Sequence, residues 1–147
     1  MSKNSFTPPL NASMNLASPA LILDTGATGH FISSNATTTP VQPAPHPITV
    51  QLPDHTTITS THTTKVPALH KLPPSQQTAH VFPNLRTSLL SIGKLCDTGC
   101  TASFTKNHAQ IHYNGKLLLQ GTRTPNGLWT VTPSFDQVTQ ANNLTRI

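Results

Sequence analysis

The sequence predicts an all-β, barrel-like domain with at most one or two short helices. Short apolar or alternating segments recur along the chain and are divided by Pro, Asn, Asp and Gly clusters, as strands are divided by turns. A threonine-dominated stretch in the middle favours strand, because β-branched side chains fit the pleated surface. Asn114-Gly115 between two alternating segments is the strongest hairpin signal in the chain.

The elements follow in order. Residues 1–18 are polar with Pro8 and Pro9, and read as a disordered leader. Ala20 to Leu23 is a short apolar strand ended by a turn, and Phe31-Ile32 resumes apolar character. Residues 33–47 carry Pro40, Pro43, Pro45 and Pro47 and read as a loop. Ile48 to Leu52 alternates with period two, Pro53-Asp54-His55 signals a turn, and Thr56 to Val66 returns as strand, giving a hairpin over 48–66. Val81-Phe82 is a further strand after the Pro73-Pro74 break. Leu89 to Cys96 is apolar and turns into a short helix from Ile92 to Asp97. Thr101 to Phe104, Asn107 to Tyr113, Lys116 to Gln120 and Gly127 to Val131 complete the strands. The domain therefore spans 19–131, with a polar tail over 132–147.

Bulk composition narrows the function classes. Only 35% of residues are hydrophobic and 5% aromatic, so the core is small and an oligomeric interface would add useful apolar burial. The chain has no Glu; its four acids are Asp24, Asp54, Asp97 and Asp136, against nine Lys and Arg. The resulting +5 charge reflects scarce acids. The basic residues are scattered, without interleaved aromatics, so nucleic acid is not expected as the primary ligand. Cys96 and Cys100 form no secreted disulfide framework. With no visible signal peptide or membrane-length apolar run, a cytoplasmic or nuclear location is expected.

Leu21-Ile22-Leu23-Asp24-Thr25-Gly26-Ala27 carries the chemistry. Three apolar residues run into Asp-Thr-Gly, which places one carboxylate at the end of a buried strand on a tight turn. Gly26 is expected to permit the backbone shape and close approach of a partner, and the Thr25 hydroxyl to lock the turn. A second triplet, Asp97-Thr98-Gly99, reads as a helix end capped by Gly99, since too little chain follows for a second lobe.

Asp24-Thr25-Gly26-Ala27-Thr28-Gly29-His30 resembles the Asp-Ser/Thr-Gly-Ala-x-x-His signature of copia-type retrotransposon proteases. Ser88-Leu89-Leu90-Ser91-Ile92-Gly93-Lys94-Leu95 resembles that family's Asn-Leu-Leu-Ser-Val-Gly-x-Leu segment. Gly127-Leu128-Trp129 resembles the junction leading toward integrase. The resemblance implies a retropepsin-like closed β-barrel, half of an acid protease, cut from a Gag-Pol polyprotein that is also its substrate. It implies a homodimer in which Asp24, Thr25 and Gly26 are catalytic, Thr25 hydroxyls bridge the subunits, and Ala27 lies along the substrate backbone. It implies proteolysis with no metal and no other cofactor. In this family the hairpin corresponding to 48–66 closes over substrate as a flap; here Leu52 to Val66 contains no glycine.

Three other readings remain open. The same barrel without activity would be a dimerisation or peptide-binding module, and the glycine-free hairpin favours it. Cys96-x3-Cys100-x7-His108-x3-His112 supplies a zinc ligand set, with a central gap shorter than a conventional finger needs. A single-stranded nucleic-acid binder would show steep salt dependence. His46, His55, His62, His70 and His80 sit in polar stretches and read as exposed loop residues; His30 is expected to make a structural hydrogen bond.

Overall fold

Strand β1 (Leu21–Asp24) lies inside a ten-stranded sheet, hydrogen-bonded on both sides. The computed structural model describes residues 20–37 and 39–132. Along the chain follow β2 (Phe31–Ser33), β3 (Val41–Pro43), β4 (Thr49–Gln51), β5 (Thr57–Thr59), β6 (His62–Lys65), β7 (Thr78–Phe82) and β8 (Ser88–Ser91). Helix α1 (Ile92–Asp97), then β9 (Thr101–Phe104), β10 (His108–Tyr113), β11 (Lys116–Arg123) and β12 (Trp129–Thr132) complete it. The sheet order is β3-β6-β7-β2-β8-β1-β12-β11-β10-β9, and β4-β5 stands apart as a two-stranded hairpin. The protein is thus mostly β with one α-helix and three 3-10 turns among the described residues. The strand order ends at β3 and β9, and no pairing between described strands joins those ends. No described helix is long and apolar enough to cross a membrane.

Two pairings in the sheet are parallel. β1 runs beside β8 with Leu21 opposite Ser88 and Asp24 opposite Ser91. β2 runs beside β7, with Phe31 opposite His80. Alternation then divides the side chains between two apolar clusters. Leu23, Ile32 and Leu90 enter the main core with Leu95, Ile111, Leu118 and Leu119. Phe31, Phe82 and half-buried Leu89 join Ile58, Val50 and Leu52 of the hairpin in a second cluster. Asp24 shares a sheet face with Ile22, and Ile22 lies opposite Leu89. The candidate carboxylate therefore stands on the face that the hairpin covers.

Local chemistry sets the turns. Asn114 and Gly115 both adopt positive φ, 52° and 76°, the backbone a two-residue hairpin turn requires. Gly99, at φ 110°, ends α1: its N–H donates to the Cys96 carbonyl, and the Cys100 N–H donates to that of Leu95. Those two bonds form a Schellman cap, as the Asp97-Thr98-Gly99 reading expects. The β4-β5 tip has a type I arrangement. The His55 N–H donates to Leu52, Pro53 and Asp54 sit between them, and His55 takes the left-handed position at φ 72°. His55 thus occupies the backbone state where a glycine ordinarily sits.

Three expectations change. The 33–47 stretch is not uniformly loop: Ser34–Ala36 forms a 3-10 turn and β3 pairs with β6. An edge strand tolerates Pro43 because one side of it needs no ladder N–H. Thr56 to Val66 is not one strand. It breaks at Ser60-Thr61, where the Ser60 N–H donates to Ile48 of the hairpin and the Thr61 N–H donates to Val81 of β7. The chain there changes partners, and a run of threonines carries no mark of it. Thr132, assigned to the tail, is the last residue of β12. The leader and the rest of the tail lie outside the described residues.

Gly121 is needed for a close approach that the sequence reading does not register. A Cβ there would stand 3.1 Å from Leu23 Cδ1 and 3.1 Å from the Thr130 carbonyl oxygen. Gly121→Ala is expected to destabilise the fold by about 1–2 kcal/mol through overpacking beneath β1. Urea denaturation checks this; unchanged or raised stability would show that the sheet relaxes around the methyl.

Candidate active site

The Asp24 carboxylate is half-buried at the exit of β1, and the chain turns immediately after it. Its Oδ1 accepts the Gly26 N–H at 2.7 Å. A carboxylate so bonded has one oxygen fixed by backbone, which orients the group. Ile22 and Leu23, 7% and 3% exposed, hold the strand beneath it.

The loop after Asp24 is tied down by Ser91 at the end of β8. The Ser91 hydroxyl donates to the Ala27 carbonyl at 2.7 Å and accepts the Lys94 N–H at 3.0 Å. The Ser91 N–H donates to His30 Nδ1 at 3.1 Å. His30 makes the structural bond expected of it. Because Nδ1 accepts, the proton of the neutral ring sits on Nε2. That Nε2 is buried and has no hydrogen-bond partner among the described residues, and neither has Nδ1 of His80.

Two of the sequence-stated roles change form. The Thr25 hydroxyl is exposed and makes no hydrogen bond among the described residues, so Asp24 itself locks the turn. Gly26 does not occupy the left-handed region, and a Cβ there would meet nothing nearer than Asp24 Oδ1 at 3.4 Å. The backbone shape therefore does not demand glycine at 26. Ala27 is half-buried, with its carbonyl held by Ser91.

Among the described residues no three His, Cys, Asp or Glu converge to hold a metal ion. Cys96 is exposed on α1, Cys100 is packed in the core, and burial together with nearby Cys96 pushes the Cys100 thiol up. His46, His55 and His70 are exposed as expected. His62 and His80 are instead half-buried on β6 and β7. Polar neighbours in sequence hide His80, whereas alternation with buried Ala79 and Val81 was the available signal for a strand. Ser91 was likewise legible as a helix N-cap just before Ile92, although its contacts to Ala27 and His30 were not.

Of the other described acids, Asp54 sits at the hairpin tip. Its Oδ1 accepts the Thr56 hydroxyl at 2.6 Å and the Thr56 N–H at 3.0 Å, which lowers its carboxyl pKa. Asp97 is exposed in the last turn of α1.

His30 gives the site a defined pH response. Burial, then the nearby Lys94 ammonium, then His80, lower its pKa from 6.5 to about 4. Burial and Lys94 also lower that of His80. Between these values the unfolded chain binds the proton and the folded chain does not, so stability rises with pH. The contribution is complete above pH 6.5 and is lost as pH falls toward 4. For His30 it amounts to roughly 3 kcal/mol at most. The Asp54 shift acts below pH 3.8, outside that window. Urea denaturation at pH 7.5 and 4.5 is expected to show the loss, and His30→Asn, which keeps an acceptor at the δ position, to reduce it. An equal loss in His30→Asn would assign the pH dependence elsewhere.

Comparison of the chain with protein-family models, with curated proteins and with solved structures gives no match.

Proposed function

We propose that the chain is an aspartic endopeptidase of a copia-type retrotransposon Gag-Pol polyprotein, active as a homodimer. The observation that carries the reading is the setting of Asp24. It is a carboxylate at the end of an internal strand, fixed by the Gly26 N–H and opposite Ser91 of a parallel neighbour. It also faces the side of the sheet covered by the β4-β5 hairpin. The retropepsin-like barrel, closed by a second subunit, belongs to the same proposal.

The chemistry needs two carboxylates at one point. Two Asp groups about 3 Å apart do not both ionise readily and share one proton. The ionised one takes a proton from water as the water oxygen attacks the scissile carbonyl carbon. The protonated one hydrogen-bonds the carbonyl oxygen and stabilises the tetrahedral intermediate. As the resemblance implies, the proposed partner of Asp24 is Asp24 of a second copy, across a two-fold axis. Thr25, whose hydroxyl is exposed, is available to meet its counterpart there. Ala27 would lie along the substrate. The activity needs no metal or organic cofactor.

One observation favours a second reading, an inactive dimerisation or peptide-binding module. The hairpin tip is stiffened by Pro53 and by the Asp54–Thr56 bonds, with His55 in place of glycine. A mixed peptide library incubated between pH 4 and 7 separates the two. Cleavage by wild type that falls at least about a hundredfold in Asp24→Asn is expected, with both proteins dimeric by sedimentation. A folded dimer that binds peptides and cuts none would establish the inert module instead.

A further inference from the structure

Ser91 is 1% exposed, and its polar groups are divided between two elements. The hydroxyl gives its proton to the Ala27 carbonyl and receives the Lys94 N–H, the first-turn N–H that a helix cap satisfies. The main-chain N–H goes to His30. Capping α1 requires only the acceptor half of that hydroxyl. The donor half reaches back across the sheet to the loop that follows Asp24, and the N–H does the same one turn later. Residues 27 and 30 are thereby fixed to the residue that lies opposite Asp24 in the parallel ladder.

We propose that Ser91 is a positioning residue for the Asp24 carboxylate, clamping the 24–30 loop to the start of α1 through Ala27 and His30. The inference rests on the endopeptidase reading for its catalytic consequence. The Ala27 carbonyl lies two peptide planes beyond the Gly26 N–H that holds Asp24 Oδ1. Released from Ser91, those planes rotate, and the Gly26 N–H leaves the carboxylate. Ser91 itself touches no reacting atom. Its effect is on the placement of a group that must meet its twin within a fraction of an ångström.

The test uses the full chain as Ser91→Ala, which removes the hydroxyl, and Ser91→Thr, which retains it. With a peptide that wild type cuts, Ser91→Ala is expected to lower kcat about 10- to 100-fold while KM stays within about threefold. The acid limb of its kcat–pH profile should shift, because the Asp24 environment changes. Ser91→Thr should restore most of the rate. Wild-type kcat in folded Ser91→Ala, or a loss confined to KM, overturns the proposal. Should wild type and Asp24→Asn prove equally inert, the endopeptidase reading falls and nuclear magnetic resonance decides the clamp. Displaced Gly26 amide and Asp24 carboxyl signals in Ser91→Ala support it, and unmoved signals overturn it. If Ser91→Ala does not fold, hydrogen exchange of wild type carries the test. Gly26, Ser91 and Lys94 amides are expected to lose protection together as denaturant rises, and separate opening of Gly26 overturns the clamp.

Discussion

Where Asp24 stands is decided by a pairing that local sequence cannot make. β1 and β8 run parallel, and a parallel pair cannot be closed by a tight turn; it needs a crossover. Here the crossover is most of the domain's first half: β2 to β7, including the hairpin, lie between the two strands in sequence. The entropy of closing that long loop is recovered through burial of Leu23, Leu90 and Leu95 in one core. Only once β8 is seated does Ser91 arrive opposite Asp24, and only then do Ala27 and His30 find their partners. The candidate site is therefore a product of the finished fold rather than of the Asp-Thr-Gly triplet.

This division explains what could be read from sequence. The α1 boundaries, the Asn114-Gly115 turn and the Gly99 cap were legible because each is fixed by the backbone preferences of two to four neighbouring residues. The split between β5 and β6 was not, because Ser60 and Thr61 look alike until their partners, Ile48 and Val81, are known. β3 was hidden by the proline that its edge position tolerates. In the site, the strand entering Asp24 was legible from its apolar run. The bonds that tie down the loop after it were not, since they come from a serine on another strand. Gly26 looked like a backbone requirement, yet its φ is ordinary; Gly121, never suspected, is the glycine pressed against β1.

The buried imidazoles mark a second dependence. His30 serves the loop only while neutral, since a proton on Nδ1 would displace the Ser91 N–H. Burial and the Lys94 ammonium keep it neutral through the mildly acidic range. Lys94 belongs to the same first turn of α1 that Ser91 caps, so cap, cation and imidazole sit in one small region. In the protease reading this matters because the loop that carries Asp24 stays tied to Ser91 for as long as His30 is neutral, down to about pH 4.

The glycine-free hairpin bears on the proposed activity less directly than its tip suggests. In the protease reading the hairpin must lift to admit substrate, and a lid pivots where it joins the body rather than at its tip. The joints here are the stretch before Ile48 and the Ser60-Thr61 step. The Ser60 hydroxyl and N–H bond Ile48, and the Ala44 N–H bonds the Thr61 carbonyl. Those few bonds, with Ile58 buried against Phe31 and Phe82 and half-buried Ile48, Val50 and Leu52 packed on the same cluster, are what opening would have to break. Uncovering a fully buried apolar side chain costs about 1.5–3 kcal/mol, so in that reading the cluster is a main restraint on opening. Pro53, Asp54 and His55 shape the tip that would meet a substrate; the apolar contacts along the hairpin, from Ile48 to Leu52 and at Ile58, are what would hold it closed.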